Sequence, residues 1–145
     1  MKIVEVFAES GQLKGGEWLT RAEHVHRQLR PHLPADYPAR MLRVLQDARM
    51  SLAVKDDVVL GLAVYRWHEN TFDGVKFYID DLVTDEAHRS AGIGHALIAH
   101  LEGVARKLGA SGLVLDSGTQ RTQAHKFYFR EGFVITSFNF KKSFS

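Results

Sequence analysis

The feature that most constrains this chain is a pair of glycines, Gly92 and Gly94, set between a strand-forming run and a helix-forming run. Val75-Lys76-Phe77-Tyr78-Ile79 alternates apolar and mixed side chains and is rich in β-branched and aromatic residues, which predicts a strand. Beyond the glycines, Ile93, Leu97, Leu101, Val104, Ala105 and Leu108 recur at helical spacing, with Glu102, Arg106 and Lys107 on the opposite arc. Gly109 supplies a C-terminal stop. Glycines at a helix N-terminus leave backbone N–H groups exposed, and the helix dipole adds partial positive charge there. Strand, glycine turn and helix therefore form a seat suited to phosphate; the plainer alternative is a turn whose glycines serve backbone geometry alone.

Two familiar phosphate loops fail on spacing. A Walker-type loop needs Gly-Lys-Ser/Thr, but His95 and Ala96 follow Gly94. A dinucleotide fingerprint needs a third small residue where this chain has Leu97. What remains is Arg89-Ser90-Ala91-Gly92-Ile93-Gly94 opening a helix. It resembles the pyrophosphate loop of the GCN5-related N-acetyltransferases. Ala124-x-x-Phe127-Tyr128-x-x-x-Gly132-Phe133 resembles that family's second signature, in the family's order and one helix and one strand downstream. The likeness covers about residues 50 to 145. More narrowly, Leu115-Asp116-Ser117-Gly118, Ala124-His125-Lys126-Phe127-Tyr128 and Ser137-Phe138-Asn139-Phe140-Lys141 resemble small-molecule amine acetylators, including the aminoalkylphosphonate acetyltransferases.

Composition agrees with one globular α/β (α+β) domain over residues 1–145. Apolar residues make up 45% and charged residues 25%, with three prolines, which argues against disorder. The longest apolar run, Val58 to Tyr65, is strand-sized and far short of the ~20 residues of a membrane helix. Glu5 and Glu9 interrupt any signal-peptide core. With no cysteine there is no disulfide, thiolate metal site or cysteine nucleophile, which suits a reducing cytoplasm. A net charge of +2 is too small to point to nucleic acid.

Periodicity predicts a first strand within 1–7, a helix over 17–29 with Trp18, Ala22, Val25 and Leu29 on one stripe, and a second helix over 37–50. Ser51–Lys55 and Val58–Arg66 flank Asp56-Asp57 as a hairpin, and 70–74 is the next turn. Leu113–Leu115 is a short strand, a helix runs from about Ala124 to Gly132, and a strand starts at Phe133 with a hairpin at Thr136-Ser137. A mixed sheet with helices on both faces follows. The resemblance implies that the sheet is mostly antiparallel and twisted, with acetyl-CoA in the splay between two central parallel strands.

The resemblance also assigns roles. Tyr128 takes the position of an acid near the CoA sulfur; a phenol with a pKa of ~10 keeps its proton until a thiolate needs it. The alternative is aromatic filler between Phe127 and Phe129. For the base, Asp80 and Asp81 are adjacent on one strand and so should face opposite ways, with Phe77, Ile79 and Val83 on the side of Asp81. An aspartate among apolar neighbours is costly unless it is paired or at work. Asp116 is a third candidate, and the order is Asp81, Asp116, Asp80, each also readable as a solvated or ion-paired carboxylate.

Leu82, Val83 and Thr84 would offer backbone groups to pantetheine, and one N–H there could hold the oxyanion. Ser90, Ala91, Gly92, Ile93, Gly94 and His95 would donate to the pyrophosphate, with Arg89 adding charge. Arg121 could reach the nucleotide where some relatives use asparagine. His24 and His26, two apart on a helix, make a poor metal pair, and no metal is expected. Tyr65, Trp67 and His68 either line an acceptor pocket or pack. These expectations describe direct acetyl transfer from acetyl-CoA to a small primary amine by a homodimer. A protein or peptide acetyltransferase and an idle acyl-CoA-binding module are the rivals. The dimer expectation rests on Phe138, Phe140 and Phe144 alternating along a last strand, where family members often pair.

Overall fold

The computed structural model describes residues 1–145 and divides them into two compact units, Met1–Val114 and Leu115–Ser145. In the first, β1 (Lys2–Glu5), α1 (Glu17–Leu29), α2 (Tyr37–Val44), β2 (Arg49–Lys55), β3 (Val58–Asn70) and β4 (Gly74–Thr84) lead through a 3-10 turn, Glu86–His88, into α3 (Ile93–Lys107). The sheet order is β1-β2-β3-β4-β5, with β5 spanning Leu113–Leu115. The first four strands pair antiparallel. β5, reached through the α3 crossover, supplies the parallel neighbour of β4.

Each face of the sheet carries a core. On one, Leu19, Ala22 and Val25 of α1 and Tyr37 and Met41 of α2 pack on Leu52, Val54, Leu62 and Val64. On the other, Ile93 and Leu97 of α3 pack on Ala53 and Leu60, with Ile3 and Leu82 half-buried beside them. α3 also comes very close to β3: a Cβ on Gly61 would lie 2.7 Å from Ile93 Cγ2 and 3.0 Å from the Val83 carbonyl oxygen. A polar clasp joins the same face, since Glu5 of β1 accepts hydrogen bonds from Ser51 and Tyr65 and contacts His100 Nε2 of α3 at 2.6 Å.

Three expectations change. α2 ends at Val44, and Arg49–Met50 already belong to β2. Leu45 and Ala48 are buried by the chain reversal between these elements, so burial at three-residue spacing imitated a helix. The β2–β3 turn forms as expected, with Asp56 and Asp57 both at positive φ (51° and 62°), as a two-residue type I′ turn requires. The strand expected from Phe133 and the hairpin at Thr136-Ser137 do not form. The second unit contains α4 (Thr122–Arg130), Gly132 at φ 95°, and an irregular 133–145 segment. Alternating aromatics favour a strand only where another strand completes the ladder, and this segment has none.

Candidate active site

The first unit's functional geometry starts from a β-bulge. Tyr65 pairs with Ile79 and Val64 with Asp81, so Asp80 is an extra residue in β4. This overturns two expectations of strict alternation. Asp80 and Asp81 line the same cavity instead of facing opposite ways. Phe77 lies on the other side, where it stacks on Tyr65 at 5.1 Å, and Ile79 is the cross-strand partner of that tyrosine. Val83 alone stays with Asp81, packed against the α1–α2 core.

Asp81 is held on both oxygens. Oδ2 lies 2.7 Å from His26 Nε2, and Oδ1 accepts from Arg30 Nε at 2.9 Å and Nη2 at 2.7 Å. His26 is 2% exposed, and its Nδ1 lies 2.7 Å from the Tyr37 hydroxyl. The chain Tyr37–His26–Asp81–Arg30 thus ties α2 and α1 to the bulge. Burial alone would raise the Asp81 pKa, but the hydrogen bonds and charges of His26 and Arg30 outweigh it and hold the carboxyl below its ordinary value. Burial, together with the charges of Glu23 and Asp81, pushes the Tyr37 hydroxyl well above an ordinary phenol, so it stays protonated. Asp80 is bound by Arg66 through Nε at 2.8 Å and Nη2 at 2.7 Å, and Arg66 also reaches Asp47 at 3.2 Å.

Beside these pairs lies a cavity of about 240 Å³. Leu33, Met41, Val44 and Val64 give it an apolar floor, while Arg30, Arg40, Arg66 and His32 join the two aspartates on its polar wall. Tyr65, Trp67 and His68 do not line it. Tyr65 is buried with its hydroxyl on Glu5, and Trp67 stacks on Tyr65 at 6.2 Å.

The glycine loop is anchored from α1. Asp85 donates its N–H to the Leu60 carbonyl (2.8 Å) and accepts from Gln28 Nε2 (3.1 Å) and the Ala87 N–H (3.2 Å). Gln28 Oε1 accepts from the Glu86 N–H at 2.9 Å. The side-chain bond from Gln28, then those from Ala87 and His88, lower the Asp85 pKa against the effect of burial. Arg89, Ser90, Ala91 and Gly92 are exposed; Ser90 and Gly92 sit at φ 68° and 77°, and Gly92 caps α3. The first intrahelical bond runs from the Ala96 N–H to the Gly92 carbonyl (3.0 Å), so the Ile93 and Gly94 N–H groups lie ahead of the helical ladder. Leu82, Val83 and Thr84 pair with Ala63, Leu62 and Gly61 along β3.

In the second unit, Tyr128 packs edge-on to Phe127 (5.5 Å) and Phe133 (5.6 Å), and its carbonyl accepts from the Phe133 N–H at 2.9 Å. Asp116 is exposed and accepts from Asn139 Nδ2 at 2.9 Å. Arg121 is exposed at the start of α4.

Sequence reasoning missed His26, Arg30, Tyr37 and Arg40. The signal for His26 was present: it extends the Leu19–Ala22 stripe by one turn, and a polar side chain on such a stripe needs a buried partner.

The fold is thus a bulged sheet with a glycine-capped crossover helix and flanking helices. Solved structures share it across nearly the whole chain. An aminoglycoside N-acetyltransferase in complex with CoA superposes with a TM-score of 0.82 at 19% identity, covering 98% of this chain and 93% of that one. A Trypanosoma brucei acetyltransferase does so with a TM-score of 0.76 at 18% identity, over 99% and 100%. The chain belongs to the acetyltransferase (GNAT) family, whose sequence profile matches residues 17–133. It is 43% identical over 70 residues to an uncharacterised N-acetyltransferase of Bacillus subtilis (48% of this chain, 49% of that protein). It is 38% identical over 65 residues to the aminoalkylphosphonate N-acetyltransferase of Salmonella typhimurium (45% and 42%). The match spans about half the length of these curated relatives. No helix is long and apolar enough to cross a membrane.

Proposed function

We propose that this protein is an acetyl-CoA-dependent N-acetyltransferase, acting as one catalytic domain on a small primary amine. The observation that carries the reading is the glycine loop. Gly92 in a left-handed conformation caps α3, and the amides of Ile93 and Gly94 precede the helical ladder, in a chain of the acetyltransferase family. Those amides, with those of Ser90 and Ala91 in the loop and His95 in the first turn of α3, receive the pyrophosphate; Arg89 and Arg121 add charge. Along Leu82–Thr84, alternate residues direct their backbone groups to opposite edges, so those turned from β3 serve pantetheine and the oxyanion.

The amine nitrogen attacks the thioester carbonyl, the C–S bond breaks, and Tyr128 gives its proton to the departing thiolate. No covalent enzyme intermediate is involved. For the amine's own proton, the saturated coordination and lowered pKa of Asp81 argue against direct acceptance there. Asp80 is likewise bound to Arg66. Asp116, exposed and holding one side-chain hydrogen bond, therefore moves ahead of both as the base, with water as relay. Asp81 keeps a positioning role through His26 and Arg30. A cavity of about 240 Å³ falls below the ~300–1,000 Å³ typical of drug-sized ligands, which favours a small acceptor over a peptide.

We further propose a cytoplasmic homodimer that covers Phe138, Phe140 and Phe144, which are 83%, 93% and 94% exposed in the single chain. The deciding measurement is free-thiol release from acetyl-CoA with a panel of primary amines. Amine-dependent release is expected; CoA binding without release from any amine would leave an idle binding module.

A further inference from the structure

We infer that the acceptor amine carries an oxyanion, a carboxylate or a phosphoryl-type group, which Arg40 receives in the cavity beside the bulge. The inference rests on the transferase reading for what the ligand's other end does, but the anion site stands on its own geometry.

Three guanidinium groups line the cavity, those of Arg30, Arg40 and Arg66, against two carboxylates, Asp80 and Asp81. Four of these five charges are spent inside the protein: Arg30 holds Asp81 and Arg66 holds Asp80, each through two nitrogens. Arg40 engages in no ion pair or side-chain hydrogen bond, although it is half-buried on the cavity wall. A guanidinium on the cavity wall with no acceptor from the protein keeps its donors available for an anionic ligand.

The local build favours this role. Arg40 lies on the first half of α2, whose N-terminus is fixed by Asp36 accepting from the Ala39 N–H at 3.1 Å and by Pro38. The guanidinium is therefore presented from a short, capped element, and its planar fork matches two oxygens of a carboxylate or phosphoryl group. His32 on the same wall adds donor capacity. The apolar floor of Met41, Val44 and Val64 suits a short methylene spacer between the two ends. A polyamine meets the opposite situation, since the one uncommitted charged group on the wall repels a second ammonium.

The test separates this site from the chemistry. Propylphosphonate and butyrate, which lack an amine, are titrated calorimetrically into the whole protein, its Arg40→Gln and Arg40→Lys variants, and Arg43→Gln on the exposed side of the same helix. Both probes should bind wild type. Arg40→Gln should weaken them by ~10–100-fold, Arg40→Lys by less, and Arg43→Gln should match wild type. Tighter binding of propylphosphonate assigns a phosphoryl group, and tighter binding of butyrate a carboxylate. No binding to wild type, equal binding by Arg40→Gln, or equal weakening by Arg43→Gln would overturn the inference.

In parallel, thiol release is followed with 3-aminopropylphosphonate, 4-aminobutyrate, butylamine and 1,4-diaminobutane. An Arg40-dependent preference in kcat/KM for the first two supports the inference. Brisk release from every amine with no such preference would overturn it and leave the transferase reading standing. Arg40-dependent anion binding without release from any amine would do the reverse.

Discussion

Replacing Asp81 by asparagine removes one charge from a network that joins α1, α2 and the β4 bulge, so its cost can be worked from the contacts. The carboxylate accepts three hydrogen bonds, one facing His26 and two from Arg30. Charge-assisted bonds contribute about 1.5–3 kcal/mol each where water is excluded. The His26 contact qualifies, with side chains 2% and 14% exposed. Arg30 is 38% exposed, so its pair is discounted to about 1 kcal/mol. Asparagine keeps one acceptor but presents an amide N–H₂ to one of the two partners. If it meets His26, a change of imidazole tautomer can follow, with Nδ1–H donating to the Tyr37 hydroxyl. The expected loss is therefore about 2–4 kcal/mol, below the full cost of deleting a buried partner. For a chain of this length that lowers Tm by about 4–16 °C.

The pH dependence identifies the cause. The Asp81 pKa is lowered on folding, so its contribution is present above the unfolded carboxylate value of about 3.9 and is lost as pH falls through the folded value. Thermal unfolding followed by circular dichroism should show a full gap between wild type and Asp81→Asn near pH 7, closing below about pH 4. A gap that stays constant across that range, or one under about 0.5 kcal/mol near neutrality, would refute the charge-based account.

Four further outcomes follow from the geometry. Gly61→Ala should destabilise by about 1–3 kcal/mol in urea unfolding, because its Cβ would meet Ile93 Cγ2 at 2.7 Å and the Val83 carbonyl at 3.0 Å. Gly92→Val and Gly94→Val should abolish CoA binding in calorimetry while circular dichroism shows a folded protein; Gly92→Val also carries about 1–2 kcal/mol of strain from φ 77°. Tyr128→Phe should lower kcat by ~10²–10⁴-fold with the acetyl-CoA KM nearly unchanged, and a loss under about threefold with chemistry rate-limiting would remove the tyrosine from the mechanism. Light scattering at micromolar concentration should report a dimer, and a monomer would contradict the proposed covering of Phe138, Phe140 and Phe144.

Much of the fold was legible where local rules act alone. The α1 bounds at Glu17 and Leu29, the Asp56-Asp57 turn and the short strand Leu113–Leu115 stand where composition and periodicity put them. The glycine loop was legible because positive φ at Gly92 is a requirement that one residue type meets cheaply. The α2 boundary was hidden because Leu45 and Ala48 bury at helical spacing in a reversal. The 133–145 segment has a strand's composition, but forming a strand depends on a neighbouring strand that composition does not report.

The deeper gap lies at β4, where one inserted residue changes the meaning of two others. In an unbroken strand, Asp80 and Asp81 would point to opposite faces, and Asp81 would sit among Phe77 and Ile79 with no partner. The bulge moves Asp81 to the α1 side, where His26 and Arg30 wait, and brings Asp80 to Arg66 on the same wall. Two adjacent carboxylates on one wall would repel each other, and each is neutralised by its own arginine. A well-packed apolar wall could supply as much stability as such pairs. A bulge and two half-buried pairs therefore point to a need for a fixed polar surface beside the strand end where Leu82–Thr84 begin. With its aspartates already satisfied, that surface turns Arg40, its one uncommitted charge, toward whatever enters the cavity.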